Sequence, residues 1–193
     1  MMRNLTRALA ATVILAVLFG LVYPLAMTGL AQLVFHSKAQ GSVLTVDGRA
    51  IGSRLIGQKW RGAQWFYGRP SVNDYNAGQS GGANLGPTSK ELADEIRNRA
   101  QEIIAVEQPY VAGLTVAGIP VDLLTASASG LDPDISPAAA EFQATRIAAV
   151  RHLPLEEVRA LIRRSIRHVP LDLFSAPSVN VLELNLALEQ TAR

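Results

Sequence analysis

The sequence predicts one mixed α/β (α+β) extracytoplasmic domain, residues 36–193, carried on a single N-terminal transmembrane helix, residues 8–35. Residues 1–7 form a short cytoplasmic N-terminus. Three observations lead there. No Lys, Arg, Asp or Glu stands between Arg7 and Lys38. The length of 193 residues suits one domain plus an appendage. The remainder alternates turn signals with short apolar runs and longer helical periods.

The apolar run, Ala8 to Phe35, sets the membrane reading. As a helix its roughly 28 residues reach about 42 Å, more than the ~30 Å hydrocarbon core needs. A cleaved signal peptide is the competing reading, with Arg3 and Arg7 as its charged start. The run exceeds the roughly 7–15 residues of such a segment, and no small-residue cleavage site ends it. Arg3 and Arg7 place the N-terminus on the cytoplasmic side of the membrane and the domain outside. Thr12, Ala16, Gly20, Pro24 and Thr28 recur every four residues. Small residues at that spacing make a strip on which a partner helix packs closely. Pro24 removes one backbone hydrogen bond and kinks the helix.

Two of the 18 basic residues, Arg3 and Arg7, precede the apolar run, so the rest carries 16 basic residues against 16 acidic. That balance offers no electrostatic footprint for nucleic acid. With no cysteine, disulfides and Cys-based zinc sites are excluded.

Asp47-Gly48 between short apolar runs predicts a hairpin. The aromatic cluster Trp60, Trp65, Phe66 and Tyr67 follows, expected as a surface. The Gly-, Asn- and Ser-rich segment 71–87 reads as a long loop. Thr88 with Glu91 three residues on predicts a capping box and a helix ending before Pro109. Val111 to Leu124 reads as strand or extended chain, and Ser127 to Pro137 as a polar turn. Ser136 as N-cap and Pro137 at the first helical position predict a helix to about Arg151. Pro154 opens another, with Glu156 and Glu157 in its first turn and Arg163, Arg164, Arg167 and His168 in its last. The end, Val179 to Gln190, fits a strand by alternation and a helix by Asn180 followed by Glu183; the helix is favoured.

Catalytic chemistry finds little support. The three histidines are His36, His152 and His168, and no Gly-x-Ser-x-Gly elbow exists. Asp132-Pro-Asp134 begins like a calcium loop, but Pro137 stands where glycine belongs and Gln143 where glutamate belongs. Those carboxylates read as a turn; a weaker idea has them raise the local concentration of a cation. Gly78 to Gly86 could offer backbone N–H groups to phosphate, yet it lacks the Gly-Lys-Ser/Thr of a P-loop. On these residues the reading is a membrane-anchored accessory or binding domain. The alternative is a membrane-anchored periplasmic hydrolase or ligand-binding protein, marked by a deep pocket holding a histidine beside Ser129 or Asp132.

Four ordered motifs go further: Trp65-Phe-Tyr-Gly-Arg-Pro-Ser71, Gln79-Ser-Gly-Gly-Ala-Asn-Leu-Gly86, the run from Thr125 to Pro137, and Val179-Asn-Val-Leu-Glu-Leu-Asn-Leu-Ala-Leu188. Together with Tyr23-Pro24 they resemble the C subunit of the Kdp potassium-transporting ATPase of bacteria and archaea. The resemblance implies a non-catalytic subunit of a high-affinity, ATP-driven potassium importer of the bacterial inner membrane. Its partners would be a channel-like ion-selecting subunit, a P-type ATPase subunit and a small membrane subunit. It also implies a catalytic chaperone that raises the ATP affinity of the ATPase subunit, with no cofactor of its own and ATP reached through the complex. A nucleotide contact would fall on Gln79, Ser80, Gly81 and Gly82. Gln79 and Ala83 depart from the Leu-Ser-Gly-Gly-Gln signature of ABC transporters that such a contact evokes. Trp65, Tyr67, Arg69, Asn84, Ser129, Asp132, Asn180 and Asn185 are the motif residues expected to matter for docking.

Overall fold

A computed structural model describes residues 2–167 and 176–191. His168 lies outside them. The described chain divides into two compact units, Met1–Ile51 and Gly52–Arg193.

The first unit begins with a helix running unbroken over Met2–Val34, with mean hydropathy 2.3 over its most apolar stretch and no buried residue there. It comprises α1 (Met2–Val17), a wide π-helical stretch at Leu18–Val22 and α2 (Tyr23–Val34). The expected disturbance at Pro24 takes this form. A proline lacks the N–H that would close the preceding turn, and the π stretch stands directly before it. Thr12 Oγ1 donates to Ala8 O at 2.9 Å, as hydroxyls do inside apolar helices. A short turn, α3 (His36–Ala39), follows. Next comes the hairpin of β1 (Val43–Val46) and β2 (Arg49–Ser53). Its turn is Asp47 at φ 50° and Gly48 at φ 76°, both left-handed, as a two-residue hairpin turn requires.

The second unit is built on helices around a small sheet. Gly57 to Pro87 contains no helix or strand, as the loop-forming composition implies. Helix α4 (Lys90–Glu107) starts one residue later than the capping box predicts. Ser89 N–H donates to Gly86 O, holding Ser89 extended, and Ser89 Oγ accepts from Leu92 N–H. Glu91 thus sits too early to complete the box but still faces the positive helix end.

Val111 to Leu124 is not a strand. It forms a 3-10 turn, Val116–Gly118, and a helical turn, α5 (Val121–Leu124). Gly118 and Pro120 leave no long uninterrupted run to pair. Ile119, Leu123 and Leu124 are buried instead at near-helical spacing.

The sheet has order β3-β5-β4, antiparallel throughout: β3 (Asp134–Ile135), β5 (Ser178–Asn180) and β4 (Ile166–Arg167). Val179 faces Ile135 on one side and Ile166 on the other. Helix α6 (Pro137–Arg151) begins as expected, with Ser136 Oγ accepting from Ala139 N–H. It ends at His152, whose left-handed φ of 55° lets Leu153 N–H reach back to Ala148 O. Helix α7 (Leu155–Ser165) packs on α6 through Val158 and Ile162. It ends before Arg167, which joins β4 instead.

The last segment is both things that its pattern allows. Ser178–Asn180 is strand, and α8 (Val181–Thr191) is helix. Asn180 Oδ1 caps it by accepting from Glu183 N–H at 3.1 Å. The Glu183 side chain does not close the box; it pairs with Arg54 and Arg167. The core gathers Phe66, Ala100, Ile135, Ile147, Val158, Val179, Leu184 and Leu188.

Candidate functional site

The four motifs meet in one place. Trp65 to Ser71 has no helix or strand, yet its backbone is held as if in a sheet. Phe66 N–H donates to Asn185 Oδ1 at 2.9 Å, and Phe66 O accepts from Asn185 Nδ2 at 3.0 Å. Tyr67 N–H donates to Gln143 Oε1 at 2.8 Å, and Tyr67 O accepts from Gln143 Nε2 at 3.2 Å. Two carboxamides, one on α8 and one on α6, take the place of a neighbouring strand.

Beneath them lies a buried ion pair. Arg146, 0% exposed, donates from Nε to Glu107 Oε1 at 2.7 Å. Its other nitrogens donate to Gln143 Oε1, Trp65 O and Ala63 O, and its guanidinium lies 4.6 Å from the centre of the Tyr67 ring. A buried guanidinium needs both a counter-charge and acceptors for its donors, and here it has them. Glu107 is 2% exposed, and its Oε2 has no hydrogen-bond partner among the described residues. Burial pushes the Glu107 carboxyl above its ordinary value, while the Arg146 charge pulls the other way.

The aromatic cluster is therefore more wall than surface. Phe66 is fully buried and Trp65 and Tyr67 are half-buried. Trp65 stands 5.0 Å from Trp60, centre to centre, and Arg151 lies 4.4 Å from its ring centre.

Next along the chain, Arg69 pairs with Asp132 at 3.1 Å, and Pro70 O accepts from Ser127 N–H. Asp132 Oδ1 also accepts from Asp134 N–H at 3.1 Å, the turn expected of this segment. Asp134 in turn accepts from Asn180 Nδ2 at 2.9 Å. Asn180, 1% exposed, also donates to Arg54 O. Both acidic groups of this turn are thus engaged within the protein.

The glycine-rich loop lies along the same turn. Gly81 N–H donates to Ser129 O at 2.8 Å, and Ser80 Oγ donates to the same oxygen at 3.2 Å. Gln79 N–H donates to Asn76 O, and Gln79 O accepts from Asn73 Nδ2. A Cβ on Gly82 would lie 2.9 Å from Ala128 O, so the glycine permits close backbone approach. Ser129 Oγ accepts from Leu131 N–H at 3.1 Å. Asn84 is exposed at a left-handed φ of 54°. On the helix of the other unit, Thr12, Ala16, Gly20 and Pro24 are all exposed, and nothing approaches within 4 Å of a Cβ placed on Gly20.

Beside the ion pair opens a cleft of about 430 Å³. Tyr67, Tyr75, Arg99, Glu107, Phe142 and Gln143 are among its walls. Among the described residues no histidine lines it, and none lines the smaller cavity beside Asp132. Glu107, Gln143, Arg146 and Tyr75 went unsingled in the sequence as functional groups. Arg146 alone left a trace there: a cation set among Ala144, Ile147 and Ala148.

Comparison with known proteins gives the arrangement its family. Residues 5–190 match the family model described as K+-transporting ATPase, c chain. A potassium-transporting ATPase KdpC subunit of Acidobacterium capsulatum is 51% identical, covering 98% of this chain and 99% of its own. Proteins of the same description are 46% identical in Bradyrhizobium diazoefficiens, over 100% of this chain and 99% of theirs, and 48% identical in Photorhabdus laumondii, over 92% and 91%. The chain belongs to the KdpC family, the c chain of K+-transporting ATPases.

Proposed function

We propose that this chain is a non-catalytic, membrane-anchored accessory subunit of an ATP-driven potassium-transporting complex. The observation that carries the reading is the match of family and relatives along both units, anchor and domain alike. The anchor itself supports it: a 33-residue apolar helix with no buried residue in its most apolar stretch has a face to offer to lipid and to other helices.

In this reading the N-terminus is cytoplasmic and the domain stands outside the inner membrane. Its partners are the channel-like subunit that selects potassium, the P-type ATPase subunit and the small membrane subunit. The strip of Thr12, Ala16, Gly20 and Pro24 packs against a partner helix. An effect on ATP affinity passes through that packing as a coupling free energy between distant sites. Direct contact of Gln79, Ser80, Gly81 and Gly82 with nucleotide is not needed, and three of those residues already bond within the domain.

The test is co-purification from solubilised membranes. Wild type should bring down the other subunits with potassium-stimulated ATP hydrolysis. Gly20→Leu should reduce the recovered complex and raise the ATP concentration needed for half-maximal hydrolysis. Unchanged recovery in that variant removes the strip from the interface. Recovery of the chain alone from wild-type membranes overturns the reading as a whole.

A further inference from the structure

The backbone of the long N-terminal helix has an acceptor without a donor near its middle. In a π stretch each N–H reaches five residues back, and across the one at Leu18–Val22 the Tyr23 N–H donates to Leu18 O. The same spacing would give Phe19 O the N–H of residue 24, which is proline and has none. Ordinary α-helical spacing would give it the Tyr23 N–H, already committed to Leu18 O. Phe19 O is therefore left without a backbone donor in its own helix.

The hydroxyls of the same helix do not supply one. Thr6 Oγ1 and Thr12 Oγ1 donate to Met2 O and Ala8 O. Thr28 lies about 13 Å further along the axis.

The position of this oxygen decides what it needs. Phe19 stands midway along Met2–Val34, whose most apolar stretch has mean hydropathy 2.3 and no buried residue. At that depth in a bilayer water does not reach the backbone, and each polar group must find a protein partner. Access is open. The carbonyl belongs to the Phe19–Gly20 peptide, and nothing lies within 4 Å of a Cβ placed on Gly20. A glycine there lets another helix come close enough for its side chain to reach the oxygen. An uncharged donor suits the site, because a cation at the bilayer centre brings a desolvation cost of its own.

We propose that Phe19 O accepts a hydrogen bond from a hydroxyl or carboxamide side chain on the membrane helix of a neighbouring subunit. The inference rests on the anchor packing against a partner subunit and adds the chemistry of that contact. The strip of small residues provides only closeness. The unpaired carbonyl provides a polar group that the partner must match, and so fixes how the two helices align along their length.

The test reads the carbonyl itself. Phe19 is the one phenylalanine followed by glycine. The full chain labelled with 13C at phenylalanine carbonyls and 15N at glycines therefore gives a single bonded 13C–15N pair, observed by solid-state NMR in lipid nanodiscs. The chain alone, at one copy per disc, is compared with the labelled chain assembled with unlabelled partner subunits. The Phe19 carbonyl should move downfield on assembly, as a carbonyl does when it accepts a hydrogen bond. Pro24→Ala restores an N–H at residue 24 and lets the helix run in α register through Phe19. Its carbonyl should lie downfield already in the chain alone and shift little on assembly, and its complex should be recovered in lower yield. Circular dichroism of both proteins confirms that the variant folds. An unchanged Phe19 resonance in a wild-type complex that has formed overturns the proposal. So does a wild-type chain whose lone carbonyl matches that of Pro24→Ala, or the same shift in discs holding two copies of this chain and no partner. If no subunit joins the wild-type chain, the accessory-subunit reading fails and this inference fails with it.

Discussion

Asn185 on α8 holds both backbone polar groups of Phe66, accepting from its N–H at 2.9 Å and donating to its carbonyl at 3.0 Å. Asn185 is 0% exposed, and so is Phe66. No water can replace either bond. Asn185→Ala should therefore cost about 2–4 kcal/mol, because two buried backbone groups lose their partners together. Asn185→Asp should be similarly poor, since a carboxylate cannot donate to the carbonyl. Urea unfolding of the full chain, followed by the fluorescence of Trp60 and Trp65, measures this directly. A loss under 0.5 kcal/mol, about that of an ordinary surface change, would mean the clamp contributes nothing.

The Arg146–Glu107 pair predicts strong non-additivity. Arg146→Met leaves Glu107 buried without its counter-charge and should cost about 3–5 kcal/mol. Adding Glu107→Leu to Arg146→Met should recover part of that loss, because the stranded charge goes with it. A double-mutant cycle reads the coupling. Additive losses would show that the two side chains act independently.

The glycine-rich loop separates packing from ligand contact. A Cβ on Gly82 would lie 2.9 Å from Ala128 O, and one on Gly57 would lie 2.5 Å from Asp132 O. Both neighbours are backbone, so Gly82→Ala and Gly57→Ala should each cost about 1–3 kcal/mol. Gly81 meets nothing within 4 Å, and Gly81→Ala should stay within about 0.5 kcal/mol in stability. If Gly81→Ala nonetheless weakened the ATP dependence of the intact complex, the loop would have a role beyond packing.

Tyr75 predicts an alkaline stability loss. Its hydroxyl donates to Arg69 O. Burial, with smaller help from the Asp74 and Asp132 charges, pushes its pKa up to about 12 from the ordinary 10.0. The folded state thus keeps a proton that the unfolded chain releases. The associated stability is present below pH ~10 and lost as pH rises through about 12, amounting to about 3 kcal/mol. Tyr75→Phe should remove that part of the slope in this window. Unfolding curves at several alkaline pH values, compared between the two proteins, check it; parallel slopes would refute it.

What could be read in advance follows from where the information lies. Asp47-Gly48, Ser136-Pro137 and Asn180 worked as signals because each acts on backbone groups within a few residues of itself. The long apolar N-terminal helix was legible for a similar reason: its character is a property of one uninterrupted stretch. The resemblance carried by the four motifs reached the family, although no local rule connected those motifs to one another.

The failures have the opposite character. Val111 to Leu124 reads as strand or extended chain by residue type, but Gly118 and Pro120 interrupt it, and it folds as a 3-10 turn and a helical turn. Phe66 reads as part of an aromatic surface, but Asn185 on α8 holds its backbone and its ring is fully buried, while Trp65 and Tyr67 stay half-exposed. Glu107 and Arg146 lie 39 residues apart, and their pairing has no signature in spacing. The sequence by itself determined the long apolar N-terminal helix, the hairpin turn and the helix starts at Ser136 and Asn180, because short-range hydrogen bonding and hydropathy decide them. Only the tertiary structure decided that Gln143 and Asn185 would stand in for a strand, and that Glu107 and Arg146 would be buried as a pair. Those outcomes depend on which distant groups are buried together, and burial is a property of the assembled core.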